Sequence, residues 1–410
     1  MEQIKHLPNG LTIIDYKNPQ VKSVLLYLAF KVGSRNETHK NNGISHLLEH
    51  LHFKGTVERP TNNDVSYELD CHGAEHNAST DKEKTDYYIK APSYKKDLAL
   101  DVLQDIILNS TFNEKALLVE KQVVSEEINM YNDDPDYNFH NKMEEVMFPD
   151  SGLEMSIGGT VENVNGFSRQ DIVSYRDSFY SKENMVICLS GNYDKTYYNN
   201  VVKAFASVKD KSPSENRVKF TRPSKIQDRL IYTWTAPLKQ SNLNWRFYIN
   251  ETENRAGLNI LSSIIGGNSS SILFKKLRNE LGLCYSTYST ITNYSDVSTF
   301  DINIGTDKSK LSKAEEEIRK ILKDILTNGI SKKDFHDAKT AFTGSFSMMA
   351  DSPNFIVTTL ASRYLKRGNF KTVDELINDF QKVSLKDVNK LAQQIFNNPN
   401  CLGIMNGQDA

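Results

Sequence analysis

The chain repeats itself, and that repeat constrains its fold more than any other feature. FSRQDIVSYRDSFYSKENMVICLSGNYD at 167–194 resembles VSLKDVNKLAQQIFNNPNCLGIMNGQD at 383–409, with Asp171 answering to Asp387 and Gly191 to Gly407, both 216 positions apart. Each copy reads as a cap, an amphipathic helix, a turn and a buried strand. Upstream, the strand, long helix and second helix that begin at YYIKAPSYKKDLAL recur at FDINIGTDKSKLSKAEEEI, with Leu98 and Leu311 offset by 213. Both halves open with β-rich segments, LTIIDY and KSVLLYLAFKVGS in one, RLIYTWTAPL and WRFYINE in the other. Strands and helices mix within each half without a regular β-α-β alternation. This favours an α+β fold of two homologous repeats, each a largely antiparallel sheet layered with helices. The polar, breaker-rich stretch 209–229 sets the expected division: an N-terminal domain at 1–212, a linker at 213–228 and a C-terminal domain at 229–410.

Composition excludes several partners. With 50 Lys and Arg against 52 Asp and Glu, the net charge of −2 gives no global field for nucleic acid or an anionic membrane surface. The longest early apolar run, VLLYLAF at 24–30, falls far short of the ~20 residues that span a bilayer. Four scattered cysteines, Cys71, Cys188, Cys284 and Cys401, form no C-x-x-C pair and suit a reducing compartment. The expectation is a cytoplasmic protein.

Two stretches spell His-x-x-Glu-His. In GISHLLEHLHF, Ile44, Leu47, Leu48 and Leu51 recur at helical spacing. At about 100° per residue, His46, Glu49 and His50 fall at about 0°, 300° and 40°, on one face. Two imidazoles then converge on a point that a metal could occupy, with a carboxylate beside them. The second copy, His72, Glu75 and His76, lies in CHGAEHNAST, where a glycine and turn formers argue for a loop entering a strand. Residues four apart in a strand stand roughly 13 Å from each other, so this copy reads as a decoy.

A catalytic zinc needs three protein ligands and an open position. The segment NEKALLVEKQVVSEEINMY at 113–131 offers Glu120, Glu126 and Glu127. On a helical wheel Glu120 and Glu127 share the inward face with Val123, Val124 and Tyr131, and Glu126 lies at its edge. Carboxylates on a core-facing stripe are costly unless paired or metal-bound. The second half supplies a control: an offset near 214 sets Ile260, Ser263 and Ile264 opposite His46, Glu49 and His50, so the chemical groups are not needed to fold that helix.

These residues resemble the pitrilysin-type, or inverzincin, zinc metallopeptidases (family M16), which carry His-x-x-Glu-His. The likeness covers essentially the whole chain: LPNGLTII, VGSRNE, GISHLLEHLHFKGT, the segment at 77–88 that begins NAST, and EKQVVSEEINMY. Length and two-repeat organisation are similar to the short, processing-peptidase-like branch (M16B). The resemblance implies a metalloendopeptidase that hydrolyses short or unfolded peptides between two facing halves. It makes His46 and His50 ligands to one Zn2+ per chain and Glu49 the general base. It selects Glu127 as third ligand and Glu120 as the assisting acid seven residues earlier, while Glu126 satisfies the ligand spacing equally well. It also assigns Arg278 and Tyr285, in SSSILFKKLRNELGLCYSTYS, to catalysis and substrate contact, and Asn77, Ala78, Ser79 and Thr80 to a substrate-binding strand edge. One departure stands out, since His-Gly replaces the Gly-Gly usual before the Asn-Ala segment. Coexistence of the zinc motif and the Arg/Tyr segment in one chain implies a homodimer acting on peptides. The alternative is a non-catalytic scaffold subunit of the same fold, or one half of a heteromeric peptidase.

Overall fold

A computed structural model of the chain describes residues 2–211, 218–223, 226–249 and 254–407. It divides into two compact units, one of Met1–Asp133, Asp150–Val218 and Ala350–Thr372, the other of Asp134–Pro149, Lys219–Met349 and Val373–Ala410. Of the expected linker, 213–217 and 224–225 lie outside the described residues.

The first unit holds a six-stranded sheet of β1 (Gln3–His6), β2 (Thr12–Lys17), β3 (Ser23–Phe30), β4 (Glu75–Thr80), β5 (Thr85–Pro92) and β6 (Met185–Gly191), in the order β1-β2-β6-β3-β5-β4. The second holds β7 (Arg229–Trp234), β8 (Ser241–Ile249), β9 (Ser286–Asn293), β10 (Ser298–Thr306) and β11 (Asn400–Gly407), in the order β7-β11-β8-β10-β9. All pairings are antiparallel except β2 with β6 and β7 with β11. Leaving out β1, the two sheets follow the same path: the first strand pairs in parallel with the last, and the third closes the far edge. The duplication read from the sequence is thus a duplication of topology.

Burial explains the strand sequences. In β3, Val24, Leu26, Leu28 and Phe30 enter a core shared with helices Ile44–His52, Lys96–Leu108 and Arg169–Phe179. Leu25 and Tyr27 point the other way and are equally buried, which requires a cover on the second face. Helix Pro353–Arg367 supplies it, packing on β6, β3 and β2 with Ile356, Val357, Leu360 and Ala361 buried. A sheet covered on both faces reads as an unbroken apolar run, and SVLLYLAF does. In the second unit helix Pro135–Met147 packs on β7 and β11. A Cβ on Gly403 would run into the Met143 sulfur and the Phe139 ring, so the glycine lets this helix approach without displacing those side chains. Its Glu144 accepts from Arg246 at 2.8 Å and from Tyr294 at 3.1 Å in the interior of the unit.

The units therefore do not follow chain order alone. Segments beginning 216 positions apart, at Asp134 and Ala350, each join the unit built mainly by the other half of the sequence. Each repeat's helices cover one face of its sheet, and the exchanged helix covers the second.

Candidate metal centre

Helix Ile44–His52 begins at Gly43, whose φ of 101° is left-handed and where a Cβ would stand 2.6 Å from the Gly158 carbonyl oxygen. The buried Glu37 carboxylate caps it, accepting from the Gly43 and Ser45 amides and the Asn42 side chain, each at 2.8 Å. Ile44, Leu47, Leu48 and Leu51 are buried. The opposite stripe carries His46, Glu49 and His50, all half-buried. Helix Glu114–Asn132 starts from an Asn113 cap that accepts from the Ala116 amide at 2.8 Å. Its buried stripe is Leu117, Glu120, Val124, Ser125 and Ile128. Val123 and Tyr131, expected inward, are 46% and 38% exposed, because the buried face centres between Leu117 and Ile128 instead of on Glu120. Glu127 consequently lies half-buried at the edge of that face, and Glu126 is exposed.

The two helices bring His46, His50 and Glu127 together, with ligand atoms all within 4.8 Å of one another, the one such group among the described residues. Glu127 Oε2 lies 3.7 Å from His46 Nε2 and 3.5 Å from His50 Nε2. Three ligands bonded to one tetrahedral zinc at ~2.0–2.1 Å stand about 3.3–3.4 Å apart, so Glu127 lies within a few tenths of an ångström of the spacing to each imidazole that such an ion requires. His50 Nδ1 is 3.2 Å from Glu120 Oε2. A proton donated there leaves Nε2 as a lone pair facing Glu127, the usual outer-shell support of a metal-bound imidazole. Glu120, 3% exposed, also accepts from Lys54 at 2.9 Å.

The electrostatics suit the donor set. Burial, then the neighbouring His50, pushes His46 down to about 4, so it is the neutral, ligating form at pH 7. Burial also presses His50 down, but the Glu120 hydrogen bond and the charges of Glu49 and Glu127 outweigh it and leave its pKa raised. A bound cation would displace that proton. Burial raises Glu49 against a hydrogen bond from Thr80 and the charge of His50. Burial would likewise raise Glu120, but His50 and Lys54 hold it below the usual carboxylate range.

The second His-x-x-Glu-His forms no such group. His72 sits in the turn before β4, with Nδ1 2.8 Å from the Glu68 carbonyl oxygen. His76 lies within β4 against the Phe53 ring at 5.9 Å. Strand β4 forms one edge of its sheet. Asn77 and Ser79 are exposed, Ala78 packs against the core, and the Thr80 hydroxyl donates to Glu49 Oε2 at 2.6 Å. Arg278 and Tyr285 belong to the second unit. There the guanidinium lies 5.5 Å from the Tyr285 ring and 4.8 Å from that of Phe274. Sequence reasoning missed the Glu37 cap and Lys54. Lys54 lies just past the helix end and meets His50 only through Glu120, so no helical spacing signalled it.

The second unit contains the counterpart of this centre. Buried positions 44, 45, 47, 48, 51 and 52 of one helix reappear at 257, 258, 260, 261, 264 and 265 of helix Arg255–Gly266, an offset of 213. This corrects the expected register by one residue: Asn259, Ser262 and Ser263 answer to His46, Glu49 and His50, while Ile260 and Ile264 are core. In helix Lys332–Met349, Ser331 bonds the Asp334 amide at 3.0 Å as Asn113 bonds that of Ala116. That match sets Ala338 at the place of Glu120 and Ser345 at that of Glu127. Asn259, Ser262, Ser263, Ser289 and Ser345 line a cavity of about 320 Å3.

The chain resembles known proteins throughout. Residues 12–161 match Insulinase (Peptidase family M16), and 166–342 match the Peptidase M16 inactive domain. The uncharacterized zinc protease YmxG of Bacillus subtilis is 34% identical over 399 residues, 97% of this chain and 96% of that protein. An uncharacterized zinc protease of Rickettsia felis is 31% identical, over 99% of this chain and 98% of its own. Among solved structures, a protease from Helicobacter pylori shares the fold with a TM-score of 0.89 at 20% identity, covering 99% of both chains. A peptidase M16 inactive domain protein from Pseudomonas fluorescens also reaches 0.89, at 17% identity, over 100% of this chain and 98% of that one. With a first unit that gathers two histidines and a glutamate, and a second that keeps the same helices without them, the chain belongs to peptidase family M16.

Proposed function

We propose that this protein is a zinc-dependent endopeptidase of the short, processing-peptidase-like branch, hydrolysing short or unfolded peptides. The observation that carries the reading is the convergence of His46, His50 and Glu127 beside Glu49. His46 and His50 would hold one zinc ion through their Nε2 atoms and Glu127 through Oε2. Zinc there supplies a ligated water acidic enough to ionise near pH ~7 and a Lewis acid for the scissile carbonyl. Glu49 accepts the water proton and delivers it to the leaving amine. Glu120 fixes the His50 proton at Nδ1 and, through Lys54, keeps its own charge. The exposed edge of β4 offers backbone pairing to an extended peptide near Asn77, Ala78 and Ser79. Arg278 and Tyr285 are assigned to substrate on the family resemblance. The proposal extends to a cytoplasmic homodimer, on the grounds that the zinc motif and the Arg/Tyr segment share one chain and that all four cysteines are free.

The test compares the wild type with Glu49→Gln for zinc content and cleavage of a pool of unstructured peptides. Both should hold about one zinc per chain, and only the wild type should cleave. If both hold zinc and neither cleaves, the scaffold reading replaces this one. Sedimentation of the purified chain checks the homodimer.

A further inference from the structure

We propose that Thr80 is the positioning residue of the general base, and that it ties the aim of Glu49 to the strand that docks the peptide. This rests on the peptidase reading above. The side chains of β4 alternate, with Asn77 and Ser79 exposed and Ala78 packed on the core. Thr80 shares the side of Ala78, toward helix Ile44–His52. Its hydroxyl has one proton, and at 2.6 Å that proton goes to Glu49 Oε2. A bond this short to a carboxylate is charge-assisted. It occupies one oxygen of a side chain with three rotatable bonds and leaves Oε1 as the free acceptor for the water proton. Because β4 is also the sheet edge, a peptide paired to it and the base that serves the reaction are held by the same strand.

The second unit does not repeat this bond: the place of Thr80 is taken by Asn293, whose side-chain oxygen accepts from Arg255 at 2.6 Å and Ser298 at 3.1 Å. There Ser262, at the place of Glu49, meets Ser289 of edge strand β9 with 3.1 Å between hydroxyl oxygens, and Ser289 donates to the Ser262 carbonyl at 2.7 Å. Ser289 pairs with Ile302 as His76 pairs with Ile89, so this contact falls four residues along the strand from the place of Thr80. Only in the first unit is the helix partner a carboxylate that can act as a base.

Thr80→Val keeps the shape and removes the hydroxyl, and Thr80→Ser restores it. In the full-length, zinc-loaded protein, Thr80→Val should keep its zinc, lower kcat by about 10-fold to 100-fold and leave KM within about twofold. Thr80→Ser should recover most of the rate. Melting supplies a readout independent of turnover. Loss of one charge-assisted hydrogen bond should lower the melting temperature of the wild type by about 4 °C and that of Glu49→Ala by less than about 1 °C. A raised KM with unchanged kcat would make Thr80 a substrate contact and overturn the proposal. An equal melting shift in both backgrounds would overturn it too, since the hydroxyl would then serve the fold without Glu49. Wild-type protein that cleaves no peptide brings down the peptidase reading and the positioning role with it, while the melting cycle still decides whether Thr80 and Glu49 are bonded.

Discussion

Helices Ile44–His52 and Arg255–Gly266 share six buried positions and differ in what the remaining face carries. One presents His46, Glu49 and His50 toward Glu127; the other presents Asn259, Ser262 and Ser263 toward a cavity that Ser345 also lines. Shared topology with divided chemistry teaches that the candidate metal ligands are a few side chains on a scaffold that recurs without them. In the second unit two carboxylates and two imidazoles are replaced by hydroxyls and an amide, which cost less to bury than a carboxylate.

The comparison can be broken most decisively by exchanging the sets. His46→Asn, His50→Ser and Glu127→Ser together give the first unit the second unit's residues. Zinc content and peptide cleavage should both fall to background, and the melting temperature should match that of chelator-treated wild type, because the only stability lost is that contributed by bound metal. A variant melting well below metal-free wild type would show that the scaffold does depend on these side chains. The reverse exchange, Asn259→His, Ser263→His and Ser345→Glu, sharpens the comparison. If the cavity keeps the donor geometry, zinc rises from about one to about two per chain; unchanged zinc would mean that the second pair of helices has drifted.

What sequence could reveal followed from periodicity. The offsets of 213 and 216 announced two α+β repeats, and the wheel placed His46, Glu49 and His50 on one face, because a helix converts spacing into direction. The register of the second helix was off by one because sequence offset alone cannot absorb loops of different length. Burial fixed it, since Leu47 and Leu48 must answer to Ile260 and Leu261 as core. The exchange of Pro135–Met147 and Pro353–Arg367 was invisible, because an amphipathic helix records that it has a partner and not which sheet supplies it. The Thr80 bond to Glu49 joins residues 31 apart through tertiary contact, so no local pattern could announce it.

A smaller effect separates outer-shell support from ligation. Glu120 answers to Ala338 in the second unit, where there is no imidazole to orient. Glu120→Ala should leave His50 Nδ1 and Lys54 without their carboxylate and weaken zinc binding by about 10-fold to 100-fold, the usual range for loss of such support. A competition titration against a chelator measures this. Affinity unchanged within about twofold would show that Glu120 is only a buried ion-pair partner of Lys54.

The smallest expected effect concerns the last of the six shared buried positions, where His52 answers to Ile265. His52 is fully buried, with Nδ1 2.7 Å from the Ile106 carbonyl oxygen and its ring stacked on Tyr180 with centroids 5.5 Å apart. Burial, against the Ile106 hydrogen bond and with a small push from Arg176, holds its pKa down at about 3. An unfolded histidine takes up a proton near pH ~6.5. Above that pH both states are neutral and His52 adds no pH dependence. As pH falls from ~6.5 toward 3 the unfolded chain binds a proton that the native chain refuses, so stability drops by about 1.4 kcal/mol per pH unit. His52→Ile, the second unit's choice, removes this slope. Chelator-treated wild type and variant, unfolded in urea at several pH values between about 4.5 and 7.5, should diverge in pH dependence below ~6.5. Parallel curves would mean that His52 gains its proton inside the folded unit and that the two helices differ less at this position than their burial implies.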